Sequence, residues 1–188
     1  MRRQAMLVLV AIVGALVVGS GAALAANTIN CTTSPCVGTP DADEINGTNN
    51  PETIKALAGN DYVKPLGSND TVYGDEGNDV VDGSPGNDTI YGGPDGDGSS
   101  MGGTIQDINL EGGADSDTVY GGGGDDTIDA RANDTPSAID KSYGGKGNDY
   151  IEARDGNVDI INCGKGKNDV AFIDEGIDTN VKGCENIF

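Results

Sequence analysis

The chain of 188 residues is strongly acidic, with 31 aspartates and glutamates against 11 lysines and arginines and a formal net charge of −20. This charge argues against nucleic acid and anionic membrane surfaces as partners, because both are bound through basic patches, and it favours cations. Aromatic residues make up only 4% of the chain while glycine occurs 31 times, so the composition excludes a thick apolar core of the ordinary globular kind.

The first element in chain order is a targeting segment. Arg2 and Arg3 precede an apolar run at 6–18, and the small-residue sequence ALA follows at 23–25. This order is typical of a secretory signal peptide, so we expect residues 1–25 to be cleaved and the mature chain to be secreted, without membrane contact after cleavage. A retained membrane anchor is the alternative, because the uncharged stretch around the apolar run is nearly long enough to span a bilayer.

A nine-residue pattern, G-G-x-G-x-D-x-U-x with U aliphatic, dominates the rest of the chain. Six consecutive units run from 38 to 91 without a slip, and a seventh begins at 92 and breaks. The pattern returns at 112–129 and again at 144–152, with a degenerate unit between them. The expected organisation is an N-terminal cap at 26–37, a first repeat block at 38–97, an irregular loop at 98–111, a second repeat block at 112–162 and a C-terminal cap at 163–188.

These units resemble the haemolysin-type calcium-binding repeat, also called the repeats-in-toxin (RTX) family. The resemblance covers about residues 38–171, with a gap near 98–111. It implies an all-β fold, a parallel β-roll or β-helix solenoid, that binds several calcium ions. Toxins of this family carry a C-terminal secretion signal, whereas this chain has an N-terminal one, and the difference argues against a toxin role.

The repeat also has a direct physical reading. A glycine-rich turn of six residues and a strand of three make half a coil, so two units complete a coil of 18 residues. Side chains alternate along a strand, and therefore only the middle residue of each triplet points inward. The predicted inward residues are all β-branched: Ile45, Ile54, Val63, Val72, Val81, Ile90, Val119, Ile128 and Ile151.

The sixth residue of each unit is nearly always aspartate. Turns of alternate units would stack about 4.8 Å apart on one edge of the roll, where neighbouring carboxylates repel by roughly 1 to 3 kcal/mol per pair. A cation between the turns would remove this repulsion, and carboxylate and carbonyl oxygens suit Ca²⁺ better than Mg²⁺ or Zn²⁺. The predicted metal ligands are Asp43, Glu52, Asp61, Asp70, Asp79, Asp88, Asp97, Asp117, Asp126 and Asp149, with Asp140 in the degenerate unit.

Four cysteines become disulfide candidates if the chain is exported. In a roll of this kind Cys36 and Cys163 would lie about seven coils, or roughly 30 Å, apart, beyond the Cα separation of about 7 Å that a disulfide allows. We therefore predict the local pairs Cys31–Cys36 and Cys163–Cys184 as end staples. A metal–thiolate site is the alternative, although the chain contains no histidine and no C-x-x-C spacing.

One outward face of the predicted roll carries two regular rows of side chains. Such rows commonly stabilise neighbouring strands, but a flat face of this kind could also contact an unidentified extracellular or cell-surface partner. The residues are Thr53, Thr71 and Thr89 in one row and Lys55, Tyr73 and Tyr91 in the other.

No enzyme is predicted, and no catalytic residue is assigned. The sequence GSSMG at 98–102 matches the G-x-S-x-G nucleophile pattern, but the absence of histidine rules out a Ser-His-Asp triad. The sequence therefore predicts a secreted, non-enzymatic calcium-binding β-roll whose folding is coupled to ion binding. The alternatives are an adhesion or surface-binding module in which calcium is only structural, and an enzyme that uses pairs of aspartates.

Overall fold

The computed structural model describes residues 27–95, 110–131, 138–178 and 180–188. The expected signal peptide and the GSSMG sequence lie outside these ranges. Within them the chain forms strands and turns, and no helix there has the length and hydropathy that a membrane crossing requires.

The described residues contain seventeen short strands. In chain order they are β1 Asn27–Asn30, β2 Cys36–Val37, β3 Asp43–Thr48, β4 Thr53–Lys55, β5 Tyr62–Leu66, β6 Thr71–Tyr73, β7 Val80–Asp82, β8 Thr89–Gly93, β9 Leu110–Glu111, β10 Thr118–Gly123, β11 Thr127–Asp129, β12 Lys141–Lys146, β13 Tyr150–Glu152, β14 Ile160–Lys165, β15 Val170–Phe172, β16 Asn180–Lys182 and β17 Asn186–Ile187.

The strands alternate between two parallel sheets, so that each coil of the chain contributes one strand to each sheet. The odd-numbered strands form a nine-stranded sheet and the even-numbered strands an eight-stranded one, both in chain order. Val63 pairs with Ile45 on one side and with Val81 on the other, a step of one 18-residue coil each way. The predicted parallel β-solenoid is therefore confirmed.

The core is a narrow column between the two sheets. All nine predicted inward residues lie in it, and each is at most 2% exposed. Leu110, Ile161 and Ala171 extend the column, and Ser142 occupies a core position between Val119 and Ile161. Short side chains, most of them β-branched and suited to strands, fill this column, which explains how the chain stays ordered with so few aromatic residues.

Two insertions interrupt the 18-residue coil without disturbing the register. Val81 pairs with Leu110, and on the other sheet the Asp88–Asp117 step is 29 residues. Further along, the Asp117–Asp140 step is 23 residues. Strand β9 falls at the end of the range expected as an irregular loop, whose remaining residues are not described.

Both predicted disulfides are present. Cys31 and Cys36 have Cα atoms 5.5 Å apart, and Cys163 and Cys184 have Cα atoms 5.1 Å apart. The first pair lies beside strand β2 at the start of the roll. The second joins β14 to the turn that follows β16, so the ordered coils continue through most of the segment expected as a C-terminal cap.

Candidate functional site

The acidic residues predicted as ligands line up in two ladders, one along each edge of the roll. Each residue stands at or just before the start of a strand, and all are at most 8% exposed. The odd ladder, which leads into odd-numbered strands, contains Asp43, Asp61, Asp79, Asp126, Asp149 and Asp169. The even ladder contains Glu52, Asp70, Asp88, Asp117, Asp140, Asp159 and Asp178.

The structure thus brings together nine of the ten predicted ligands, while Asp97 lies outside the described residues. It adds Asp159, Asp169 and Asp178, which counting in nines missed because the coils there are 19 or 20 residues long. For Asp159 and Asp169 a usable signal existed, since each precedes a buried strand residue by two positions, as the regular aspartates do.

Main-chain hydrogen bonds connect the rungs of each ladder. The N–H of Asp43 donates to Oδ1 of Asp61 at 2.8 Å, and that of Asp61 donates to Oδ1 of Asp79 at 2.9 Å. On the even ladder the N–H of Asp70 donates to Oδ1 of Asp88 at 2.7 Å. The same bond recurs to the C-terminal end of both ladders. One carboxylate oxygen of each interior aspartate is therefore used by the fold itself.

The second oxygen of many interior aspartates is buried without a hydrogen-bond donor. The residues with such an Oδ2 atom include Asp61, Asp70, Asp88, Asp149, Asp159 and Asp169. A buried carboxylate oxygen that has lost its water and gained no partner is strongly destabilising. These atoms are hard anionic oxygens next to main-chain turns. Oxygens of this kind are the ligands that a calcium ion prefers.

Carboxylates alone do not enclose a metal. Among the described residues no three acidic or cysteine side chains converge as a metal-binding group, because consecutive rungs are one coil apart. Calcium accepts six to eight oxygen ligands of mixed kinds, including main-chain carbonyls. The remaining ligands would therefore come from the turns.

The turns stack closely enough to offer their carbonyls. Gly77 and Gly86 have φ of 133° and 145°. A Cβ atom on Gly77 would overlap the carbonyl oxygen of Gly59, and one on Gly86 would overlap that of Ser68. Glycine is required at these two positions both for the left-handed conformation and for this approach of carbonyl oxygens.

Burial perturbs the titration of the ladders. Loss of solvent is the largest cause, the accepted main-chain hydrogen bond partly offsets it, and nearby carboxylates add to it. Burial raises the pKa of three carboxyls to about 7 and of three others to about 6, namely Asp61, Asp88 and Asp159, and Asp70, Asp79 and Asp149 respectively. Without a cation, these six carboxyls of the folded roll therefore hold protons close to neutral pH.

The outward face of the even-numbered sheet carries the predicted threonine and tyrosine rows. Thr53, Thr71 and Thr89 pair in register across β4, β6 and β8. Four tyrosines stack nearly parallel, with centroid separations of 4.9, 5.0 and 4.8 Å along Tyr73, Tyr91, Tyr120 and Tyr143. The sequence analysis missed the last two because they lie beyond the first insertion. Since the ring faces cover one another, the row presents mainly ring edges and hydroxyl groups outward.

Comparison with known proteins agrees with this architecture. A family model described as the RTX calcium-binding nonapeptide repeat matches four times, at residues 37–64, 66–98, 109–134 and 137–170. No significant match was found among curated proteins or among solved structures. The four segments span well over half of the 188 residues and include most rungs of both ladders. The chain belongs to the family of RTX calcium-binding nonapeptide repeat proteins.

Proposed function

We propose that this protein is a secreted, non-enzymatic calcium-binding β-roll whose folding is coupled to ion binding. The observation that carries the proposal is the series of buried Oδ2 atoms without donors, as in Asp61, Asp70 and Asp88. Bound calcium would supply the positive charge that these oxygens lack. The proposed side-chain ligands are Asp61, Asp70, Asp79, Asp88, Asp117, Asp126, Asp149, Asp159 and Asp169, assisted by carbonyl oxygens of the turns.

Coupled folding follows from the energetics of the ladders. An unfolded chain keeps its carboxylates in water, whereas the roll buries them within about 5 Å of one another, with repulsion of roughly 1 to 3 kcal/mol per pair. The aspartates hold their Oδ1 atoms in place through the main-chain bonds and orient Oδ2 toward the same turn. Because an ion that binds only the folded state stabilises it by mass action, calcium should shift the equilibrium toward the roll.

Secretion is supported by two independent features. The basic, apolar and small-residue order at the start of the chain is that of a signal peptide. The disulfides Cys31–Cys36 and Cys163–Cys184 belong to oxidising compartments. Extracellular calcium modules bind with Kd of about 10⁻⁴ to 10⁻³ M, so the chain would stay unfolded where calcium is scarce and fold after export.

Circular dichroism of residues 27–188 during a calcium titration at pH 8 tests the proposal. The expected result is a spectrum without strand structure in chelator and a cooperative gain of strand signal with added calcium. Magnesium at the same concentrations is the control and should be much less effective, because its small octahedral shell fits this ligand set poorly. A chain that is equally folded in chelator, or that responds equally to magnesium, would contradict the proposal.

A second candidate function, contact with an extracellular surface, is favoured by the outward hydroxyl groups of the even-numbered sheet. The tyrosine stack and the adjoining threonines form a flat array that repeats at each coil. We would compare binding of the protein to cells and to polysaccharides with that of a Tyr73→Ala/Tyr91→Ala variant. Loss of binding at unchanged calcium-dependent folding would support a surface-binding role, and unchanged binding would exclude this face.

A further inference from the structure

We infer that a carboxylate which accepts a hydrogen bond from the second residue of its own turn is withdrawn from calcium, and that the turns of Asp43, Glu52 and Asp178 close without the ion in this way. The inference rests on the proposed function, since it concerns which carboxylates are free to bind the ion. It separates three terminal rungs from the interior of the same ladders. Two of these three, Asp43 and Glu52, fit the nonapeptide pattern in sequence.

In the closed turns the carboxylate is already satisfied by its own turn. The N–H of Thr39 donates to Oδ2 of Asp43 at 2.6 Å, and the Thr39 hydroxyl lies 3.0 Å from the same oxygen. In the next turn the N–H of Thr48 donates to Oε2 of Glu52 at 2.8 Å, and its hydroxyl donates to Oε1 at 2.7 Å. Neither carboxylate has an orphaned oxygen like Oδ2 of Asp61 or Asp70.

The C-terminal end repeats this arrangement with different residues. Oδ1 of Asp178 accepts the N–H of Asp159 at 2.8 Å, as the ladder requires. Oδ2 of Asp178 accepts the N–H of Asp174, the second residue of its own turn, also at 2.8 Å. Both oxygens of this last aspartate are therefore paired with main-chain donors.

Several interior turns differ in the conformation of their second residue, whereas Arg154 in the turn of Asp159 has no positive φ and still leaves Oδ2 of that acid without a donor. Leu57, Leu66 and Ser84 have φ of 83°, 78° and 69°, and the acids that follow them four positions later are Asp61, Asp70 and Asp88. In this conformation the N–H turns away from the acid. At Asp75, with φ of 70°, the N–H donates instead to the carbonyl of Gly92 in the next coil at 3.0 Å.

The residue type explains the difference at the N-terminal end. Thr39, Thr48 and Asp174 keep a negative φ. Threonine is branched at Cβ, and a positive φ is strongly disfavoured for such residues. A threonine in the second position therefore directs its N–H onto the carboxylate, and its hydroxyl adds a second donor. Glycine, serine or aspartate there permits the left-handed conformation, as at Ser84 and Asp75, although Asp174 at the C-terminal end does not adopt it.

The closed turns lie close to the two ends of the roll. Asp43 and Glu52 lead into β3 and β4, which pair with the edge strands β1 and β2 beside the Cys31–Cys36 disulfide. Asp178 precedes the edge strand β16, next to the Cys163–Cys184 disulfide. Each end thus combines a covalent link with turns that satisfy their own carboxylates. Calcium binding is confined to the coils between them.

The experiment compares two neighbours on the even ladder, Glu52→Gln and Asp70→Asn, in the purified protein. Calcium bound per chain is measured by equilibrium dialysis at pH 8. Glu52→Gln should bind as many ions as the unmodified protein, whereas Asp70→Asn should bind at least one fewer. An equal loss in both variants would overturn the inference and leave the proposed function standing. If neither variant lost calcium, the proposed function itself would fail.

A second pair of variants tests the conformational cause. Ser84→Thr should close the turn of Asp88 and lose at least one bound ion, and Ser84→Gly should retain the full number, because glycine keeps the positive φ. Equal calcium binding by these two variants would refute the role of the second residue. Circular dichroism at saturating calcium verifies that Ser84→Thr is folded. If this variant does not fold, the comparison of Glu52→Gln with Asp70→Asn tests the inference instead.

Discussion

Acid should fold this protein in the absence of calcium. The carboxyl of Asp88 has a pKa raised by burial from 3.8 to about 7 in the folded state, so the roll retains a proton that the unfolded chain releases. A group with a raised folded-state pKa contributes its full stability below the unfolded value and loses it as the pH rises through the folded value. The metal-free roll should therefore be most stable near pH 4 and lose stability progressively up to about pH 7.

The stabilisation of the metal-free roll by protonation should be large enough to detect. The shift at Asp88 from 3.8 to about 7 is roughly three units, equivalent to about 4 kcal/mol at about 1.4 kcal/mol per unit. Asp61 and Asp159 show the same shift, and three further rungs reach about 6. Together these costs come to roughly 20 kcal/mol at about 1.4 kcal/mol per unit, which exceeds the net stability of roughly 5–15 kcal/mol of an ordinary domain. Half of that sum would still be comparable with the whole stability of such a domain.

The assay is circular dichroism in chelator between pH 8 and pH 4. We expect strand signal to appear on acidification, with a midpoint between about pH 4 and 7. Asp88→Asn, which keeps an Oδ1 acceptor and cannot ionise, should move the midpoint to higher pH. Glu175→Gln removes the same charge from an exposed position and is the matched control, with no shift expected. A metal-free protein whose strand content is unchanged by pH, or falls on acidification, would refute the reasoning.

Three further predictions concern stability at saturating calcium. Ser142→Val should raise the melting temperature by an amount equivalent to about 1–3 kcal/mol. The reason is that the buried hydroxyl of Ser142 has no partner and that its neighbours in the core column are aliphatic. A lower melting temperature would contradict this explanation. Ile151→Ala should lower the free energy of unfolding by about 2–5 kcal/mol. The exposed control Val158→Ala should lower it by less than about 0.5 kcal/mol. Similar losses in the two variants would count against the proposed core. Replacing Cys163 and Cys184 by serine should lower the free energy of unfolding by about 3 kcal/mol, and replacing Cys31 and Cys36 should lower it by about 2 kcal/mol, because a longer closed loop restricts the unfolded chain more. Thermal unfolding measures both losses. The reverse order would argue against this explanation by the entropy of the unfolded chain.

The fold was predictable because the nine-residue pattern keeps its phase for most of the chain. Ile45 through Ile90 follow one another in strict spacing, and every one is buried. Beyond position 91 the pattern alone was insufficient, since coils of 29, 23, 19 and 20 residues occur. Their extra residues lie outside the strands, and only the pairing of strands in space shows which residues resume the ladder.

The individual sites were less predictable than the fold. Sequence letters identified Asp43 and Asp61 as equivalent rungs, yet the structure gives the first an N–H donor from its own turn and leaves one oxygen of the second without any. The difference depends on φ at Thr39 and Leu57. Leucine at a positive φ is itself uncommon, and no rule based on residue type would place Leu57 with glycine. The identity of the residue therefore does not predict this conformation, and only the structure shows it.

The roll accepts extra residues within a coil, so it can carry inserted sequences at such a point. The N–H of Asp88 reaches Oδ1 of Asp117 at 2.5 Å although 29 residues separate them. The strands on either side of this insertion keep their partners, as Tyr91 still stacks on Tyr120. Because each coil contacts only the coils before and after it, a loop can lengthen or change its chemistry at this point while both ladders and both disulfides stay in place. New surface properties can thus be acquired without redesign of the calcium-dependent scaffold.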